Sequence, residues 1–250
     1  MEQELKIKIP GTKKFIYGKL RGSLKKPLFI IVHGLPGNMD EHFYYAAREW
    51  FFRRGYATFG FNLYDWHKDA RQLIDSTLQS HGLDLDVIVS YFRKRGVTKI
   101  YVAGHSYGGG TILMSKKKAF AAAALWDPSF GISFTKKRYG MPGGVYVKQI
   151  KGYVMRWGVT TVIGERMARE ADRLDWDLLT KGWKVPLKII AAGKGVLVRG
   201  ARRYFKLAQG RKELIIIPGA THYFNNREGM EERVFSETER WFRRFAHKVS

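Results

Sequence analysis

"KIYVAGHSYGGGTILMSK", residues 99–116, sets a single serine, Ser106, between Gly104 and Gly108. "KIYVA" is a short apolar run that reads as a buried strand, and "TILMSK" reads as a helix. A tight strand-to-helix turn lifts a hydroxyl above the end of a sheet. Flanking glycines permit the strained backbone and let the helix pack closely. With ten serines and 27 glycines in 250 residues, G-x-S-x-G is expected by chance about 0.12 times. The motif alone is therefore moderate support. Its strand-and-helix context makes Ser106 a candidate nucleophile, against the plainer reading of a glycine turn with an incidental serine.

The same rhythm extends outward. "ELKIKIP" and "KKFIYGKL" read as a paired opening hairpin, and "PLFIIVHG" as a strand covered on both faces. "EHFYYAAREWFFRRG" is a helix with a glycine stop. The strand "YATFGFNL" follows, then a long helical stretch interrupted near Gly82. After Ser106 come the strands "AFAAAALWD", "PLKIIAAG" and "ELIIIPG", with helices at "RGARRYFKLAQG" and "EERVFSETERWFRRFAHK". Alternating strands and helices imply an α/β fold, a mostly parallel sheet with helices on both faces. Residues 130–185 hold no clean strand and read as a loop followed by helices. The expected organisation is a core domain of residues 1–129 and 186–250, with residues 130–185 as an inserted helical lid.

Acyl transfer needs backbone N–H groups aimed at the developing oxyanion. One comes from Tyr107, directly after the serine. "HGLPG" after an earlier strand supplies His33 and the turn residue Gly34, so the Leu35 N–H can face the site; its plainer reading is a strand-ending turn. Among seven histidines, His33 and His105 lie inside these loops and shape them. His42, His67, His81 and His247 fall in polar or helical contexts and read as surface residues. His222 follows the last strand directly, at the sheet edge expected for Ser106, and is the candidate general base.

Together "HGLPG", "GHSYGG" and "PGATHYF", in this order, resemble the α/β-hydrolase superfamily. The similarity is greatest to its lidded esterase, acylglycerol-lipase and serine-aminopeptidase-like branches. "GHSYGG" is also similar to the prolyl-oligopeptidase group, whose usual propeller domain this length excludes. The resemblance covers the chain apart from residues 130–185. It implies Ser106 as nucleophile, His222 as base, and oxyanion donors at Leu35 and Tyr107.

The resemblance also predicts an aspartate two residues after Gly193, where this sequence has Gly195. No Asp or Glu lies between Asp177 and Glu213. Asp127, at the end of "AAAALWD", is the candidate replacement, since strand ends on one side of a parallel sheet cluster together; some α/β hydrolases are similar in placing the acid there. Against this, "DPS" is a good turn starter, so Asp127 could merely cap a loop. Asp175, Asp177 and a triad with no acid at all are the rivals.

The expected activity is hydrolysis of a small-molecule carboxylic ester through an acyl-enzyme. Aminopeptidase, thioesterase or acyltransferase chemistry on the same residues are alternatives, as is a non-catalytic binding protein. No cofactor is expected, and no histidine pairing suggests a metal. The lack of cysteine excludes disulfides. Met141, Met155 and Met167, with aromatic residues such as Tyr139, suggest an apolar acyl pocket. The net charge of +23 is spread along the chain without a nucleic-acid motif, so no specific nucleic acid is expected, only weak attraction to anionic surfaces. No apolar run reaches membrane-spanning length and the N-terminus has no signal region, so a cytoplasmic protein is expected. Few amide residues beside many Lys, Arg and Glu hint at a thermostable one.

Overall fold

The computed structural model describes residues 2–138 and 142–246. An opening hairpin pairs β1 (Glu2–Lys8) with β2 (Phe15–Arg21). Then follow β3 (Leu28–Val32), α1 (His42–Phe52), β4 (Ala57–Phe61), α2 (Leu78–Arg93), β5 (Ile100–His105), α3 (Tyr107–Met114) and β6 (Ala122–Trp126). The second half of the sheet domain contains β10 (Leu187–Ala192), α6 (Val198–Leu207), β11 (Lys212–Ile217) and α7 (Met230–Arg243). The eight-stranded sheet runs β1-β2-β4-β3-β5-β6-β10-β11, parallel from β4 onward.

Continuous apolar strands build this layer because both faces are covered. Every residue of β3, β4, β5, β6 and β10 is buried. Alternation along β3 assigns the faces. Phe29 and Ile31 pack with Phe43, Ala47 and Phe51 of α1 and with Phe242 of α7. Leu28, Ile30 and Val32 join the opposite core, with Leu85 and Ile88 of α2 and Ile112 of α3. In β6 small alanines let the helices approach, and Trp126 at its end donates from Nε1 to Thr238 Oγ1 of α7 at 2.8 Å.

Two elements differ from the sequence reading. Helix α2 runs through Gly82 without interruption. Glycine is needed there because α2 crosses α3: a Cβ would lie 2.6 Å from Met114 Cβ. The stretch 130–185 is not purely helical. It holds a three-stranded antiparallel sheet, β7 (Val145–Val147), β8 (Gly152–Arg156) and β9 (Thr160–Gly164), before the short helices α4 (Glu165–Arg173) and α5 (Trp176–Lys181). The β-branched run "TTVI" takes the strand it favours, and the helix starts only after Gly164. Met155, Ile163, Met167 and Trp176 anchor this region in the main core. Tyr139, Met141 and His247 lie outside the described residues.

Replacing Gly82 with leucine is expected to lower stability by about 1–3 kcal/mol, the usual cost of over-packing a core. Urea unfolding reads this directly, and an unshifted midpoint would show that the α2–α3 crossing has room for a side chain.

Candidate active site

Ser106 occupies the turn between β5 and α3 at φ 54°, ψ −117°. A serine holds this left-handed backbone only where its surroundings impose it. Ser106 N–H donates to Trp126 O at 3.0 Å, and Ser106 O accepts from Ser129 N–H at 3.1 Å. Gly104 and Gly108 make the turn tight, since a Cβ on Gly104 would sit 2.5 Å from the Gly108 carbonyl oxygen. Ser106 is 8% exposed and lines a cavity of about 400 Å³.

Asp127, one residue past β6, is fully buried and also has a positive φ, 39°. Its N–H donates to Ile190 O at 2.7 Å, which ties it to β10. Both carboxylate oxygens accept hydrogen bonds. Oδ1 takes the Ala192 N–H at 3.0 Å, and Oδ2 takes His222 Nδ1–H at 2.6 Å. This contact fixes the His222 tautomer, so Nε2 keeps its lone pair. His222 and Ser106 face the same cavity. Gly195 lies beside the carboxylate, where a Cβ would be 3.3 Å from Asp127 Oδ2. A side chain at 195 would thus start in tight contact with the Asp127 carboxylate.

The rival acids are engaged elsewhere. Asp175 caps α5 by accepting from Leu178 N–H at 2.9 Å, and Asp177 pairs with Arg203.

Leu35 and Tyr107 both line the cavity. The Tyr107 N–H lies in the first turn of α3, which leaves it without an intrahelical acceptor. Among the described residues, neither this amide nor that of Leu35 meets an acceptor. Two free N–H groups at the mouth of a serine turn can stabilise an oxyanion.

A buried chain of hydrogen bonds links these parts. Gly34 N–H donates to Tyr44 Oη at 2.9 Å, Tyr44 O–H to His105 Nδ1 at 2.9 Å, and His105 Nε2–H to His222 O at 2.9 Å. Burial holds His105 well below the ordinary histidine pKa, so it remains neutral. Tyr44 and Ser129 were not singled out from the sequence. Tyr44 reads as one more aromatic on an amphipathic helix. Ser129, whose Oγ lies 3.4 Å from Ser106 Oγ, reads as part of the "DPS" turn.

His33 braces the Gly34–Leu35 loop. Its Nε2 accepts from Leu63 N–H at 3.0 Å and its Nδ1–H donates to Gly34 O at 2.8 Å. His81, read from sequence as a surface residue, is fully buried, and its Nδ1 accepts the Tyr107 hydroxyl at 2.8 Å. Its place on the inward face of α2, against the residue after the serine, explains the difference.

No protein-family model and no curated protein matches this sequence. Solved structures do match along nearly its whole length. The ferulic acid complex of Est1E from Butyrivibrio proteoclasticus is 21% identical, with TM-score 0.81 over 98% of this chain and all of that one. Alpha/beta hydrolase domain-containing protein 10 from mouse is 13% identical, with TM-score 0.73 over 98% of this chain and 100% of that one. The esterase Pf2001 of Pyrococcus furiosus is 18% identical, with TM-score 0.69 over 98% and 92%. The class defined by this sheet order and by these likenesses is the α/β-hydrolase fold. Within it, this chain places its carboxylate after β6, beside a glycine at 195.

Burial lowers the pKa of His33 to about 4 and that of His81 to about 3. Unfolded histidine binds its proton near pH 6.5, so between there and about pH 4 the unfolded chain holds more protons. Stability is therefore full above pH 6.5 and falls as the pH drops through this window, by on the order of 3 kcal/mol per histidine. Thermal melts from pH 7 to 4 should show this fall, with a shallower slope in His81→Gln. An identical slope in that variant would contradict the assignment.

Proposed function

We propose that this chain is a serine hydrolase of carboxylic esters. The observation that carries the reading is the 2.6 Å contact between buried Asp127 and His222 Nδ1, in a cavity shared with the strained Ser106. Ser106 Oγ attacks the acyl carbon while His222 Nε2 takes its proton. Asp127 stabilises the imidazolium and holds its orientation. The Leu35 and Tyr107 N–H groups receive the oxyanion of the tetrahedral intermediate. Its collapse breaks the ester bond, and His222 returns the proton to the leaving alcohol. Water, deprotonated by His222, then attacks the acyl-enzyme and releases the acid, restoring Ser106.

The walls favour an apolar acyl group, with Leu35, Ile132, Phe134, Met155, Trp157 and Leu197 around the cavity. Residues 130–185 serve as a lid over this pocket. Two structural neighbours are named esterases, and one of them holds ferulic acid, which supports esters over peptides as the substrate class. Among the described residues no helix is long and apolar enough to cross a membrane. A cytoplasmic enzyme acting on a small-molecule ester fits that finding.

A fluorophosphonate probe tests the reading. Wild type should be labelled covalently and Ser106→Ala should not. A folded wild type that resists labelling would sink it. Among p-nitrophenyl esters and aminoacyl amides, the esters should turn over faster. Asp127→Asn should lower kcat by about 10³–10⁴, as loss of an orienting carboxylate does, while Asp175→Asn stays near wild type.

A further inference from the structure

Between Asp127 and Glu165, and again between Asp177 and Glu213, the chain contains no acidic residue. These two stretches hold 16 of the 45 Lys and Arg residues and none of the 22 acids. An even spread would put about six acids there. They are also the stretches that wall the candidate site. Lys136 and Arg138 line the 400 Å³ cavity beside Ser106. A second cavity of about 650 Å³ adjoins it, sharing Arg138 and Val196. It is lined otherwise by Phe130, Lys137, Arg199, Gly200 and Arg203. No carboxylate lines either cavity except Asp127, which His222 and Ala192 already occupy.

The cations of the second cavity are not equivalent. Arg203 is held by Asp177 in a two-pronged pair. Lys137 and Arg199 form no ion pair among the described residues. Two like charges facing one concave space repel each other, and an anion bound between them relieves that repulsion. An Arg guanidinium presents a fork that matches a carboxylate.

We propose that the second cavity is an anion subsite, and that the preferred ester carries a free carboxylate remote from its scissile carbonyl. This rests on the ester-hydrolase reading above. The apolar walls near Ser106 receive the chain next to the reacting carbonyl. The chain then passes Arg138 and Val196, and its ionised end lies between Lys137 and Arg199. With Arg203 neutralised by Asp177, Lys137 and Arg199 are the two cations left to hold the carboxylate between them.

The test uses substrate pairs that differ only in whether the remote carboxylate is free or methylated. In one pair it ends the acyl chain (4-nitrophenyl hydrogen adipate against its methyl ester). In the other it sits on the alcohol (4-acetoxybenzoate against its methyl ester). In one of the two placements kcat/KM should favour the free acid by about tenfold at low salt, the scale of a charge-assisted contact, and less as ionic strength rises. Lys137→Glu with Arg199→Glu should bring that ratio to parity or below. Lys25→Glu with Lys26→Glu, exposed ahead of β3 at the end of the strands opposite Ser106, should leave the ratio unchanged. Calorimetric binding of the same pairs to Ser106→Ala reads the preference without turnover, so failure of the hydrolase reading is seen separately. No preference in either placement would overturn the subsite. A preference that survives Lys137→Glu with Arg199→Glu, or that falls equally with the distant pair, would make it a property of the net charge and overturn it as well.

Discussion

The site depends on one buried carboxylate. Asp127 carries a charge at zero exposure, which is costly unless hydrogen bonds and a partner compensate it. Its compensation comes from two other elements, the Ala192 N–H at the end of β10 and His222 beyond β11. Placing a charge there therefore requires the ends of β6, β10 and β11 to lie side by side, as their parallel pairing makes them. Ser106 joins through β5, the other neighbour of β6, and its N–H is fastened to the last carbonyl of β6. The positive φ values of Ser106 and Asp127 occur at equivalent places, each directly after a buried strand. Strain at two adjacent strand ends is held by the sheet behind them.

Much of this was legible in the sequence for a simple reason. Strands buried on both faces must be apolar throughout, so "FIIV", "YVAG" and "AALW" announce themselves, and the glycine-flanked serine marks a turn no ordinary loop requires. Asp127 could be reached by position, as the only acid at the end of a strand neighbouring the serine's. What stayed hidden is set by tertiary contact. Gly82 looks like a helix breaker until Met114 is seen against it. His81 looks polar and exposed until Tyr107 is seen to donate to it. The strands β7 to β9 are three to five residues long, and the sequence between the first two, Lys148 to Lys151, carries no strong turn signal. The Tyr44–His105 link joins residues 61 apart, and neither residue type signals it.

Gly195 and Asp127 belong to one arrangement. A side chain at 195 would press on the carboxylate that comes from the neighbouring strand. The two positions approach one point in space from different strands. The segment from 178 to 212, which includes Gly195, holds no negative charge.

The central claim is that Asp127 acts by presenting a carboxylate to His222 Nδ1, and that position 195 faces the same spot. The direct measurement is kcat of Asp127→Ala beside Asp127→Ala combined with Gly195→Asp, on one p-nitrophenyl ester. The account predicts that the single change lowers kcat by about 10³–10⁴ and that the added aspartate restores at least about tenfold of the loss, one orienting hydrogen bond regained in part. A single variant with near-normal kcat, or a folded double variant with no recovery, would contradict it.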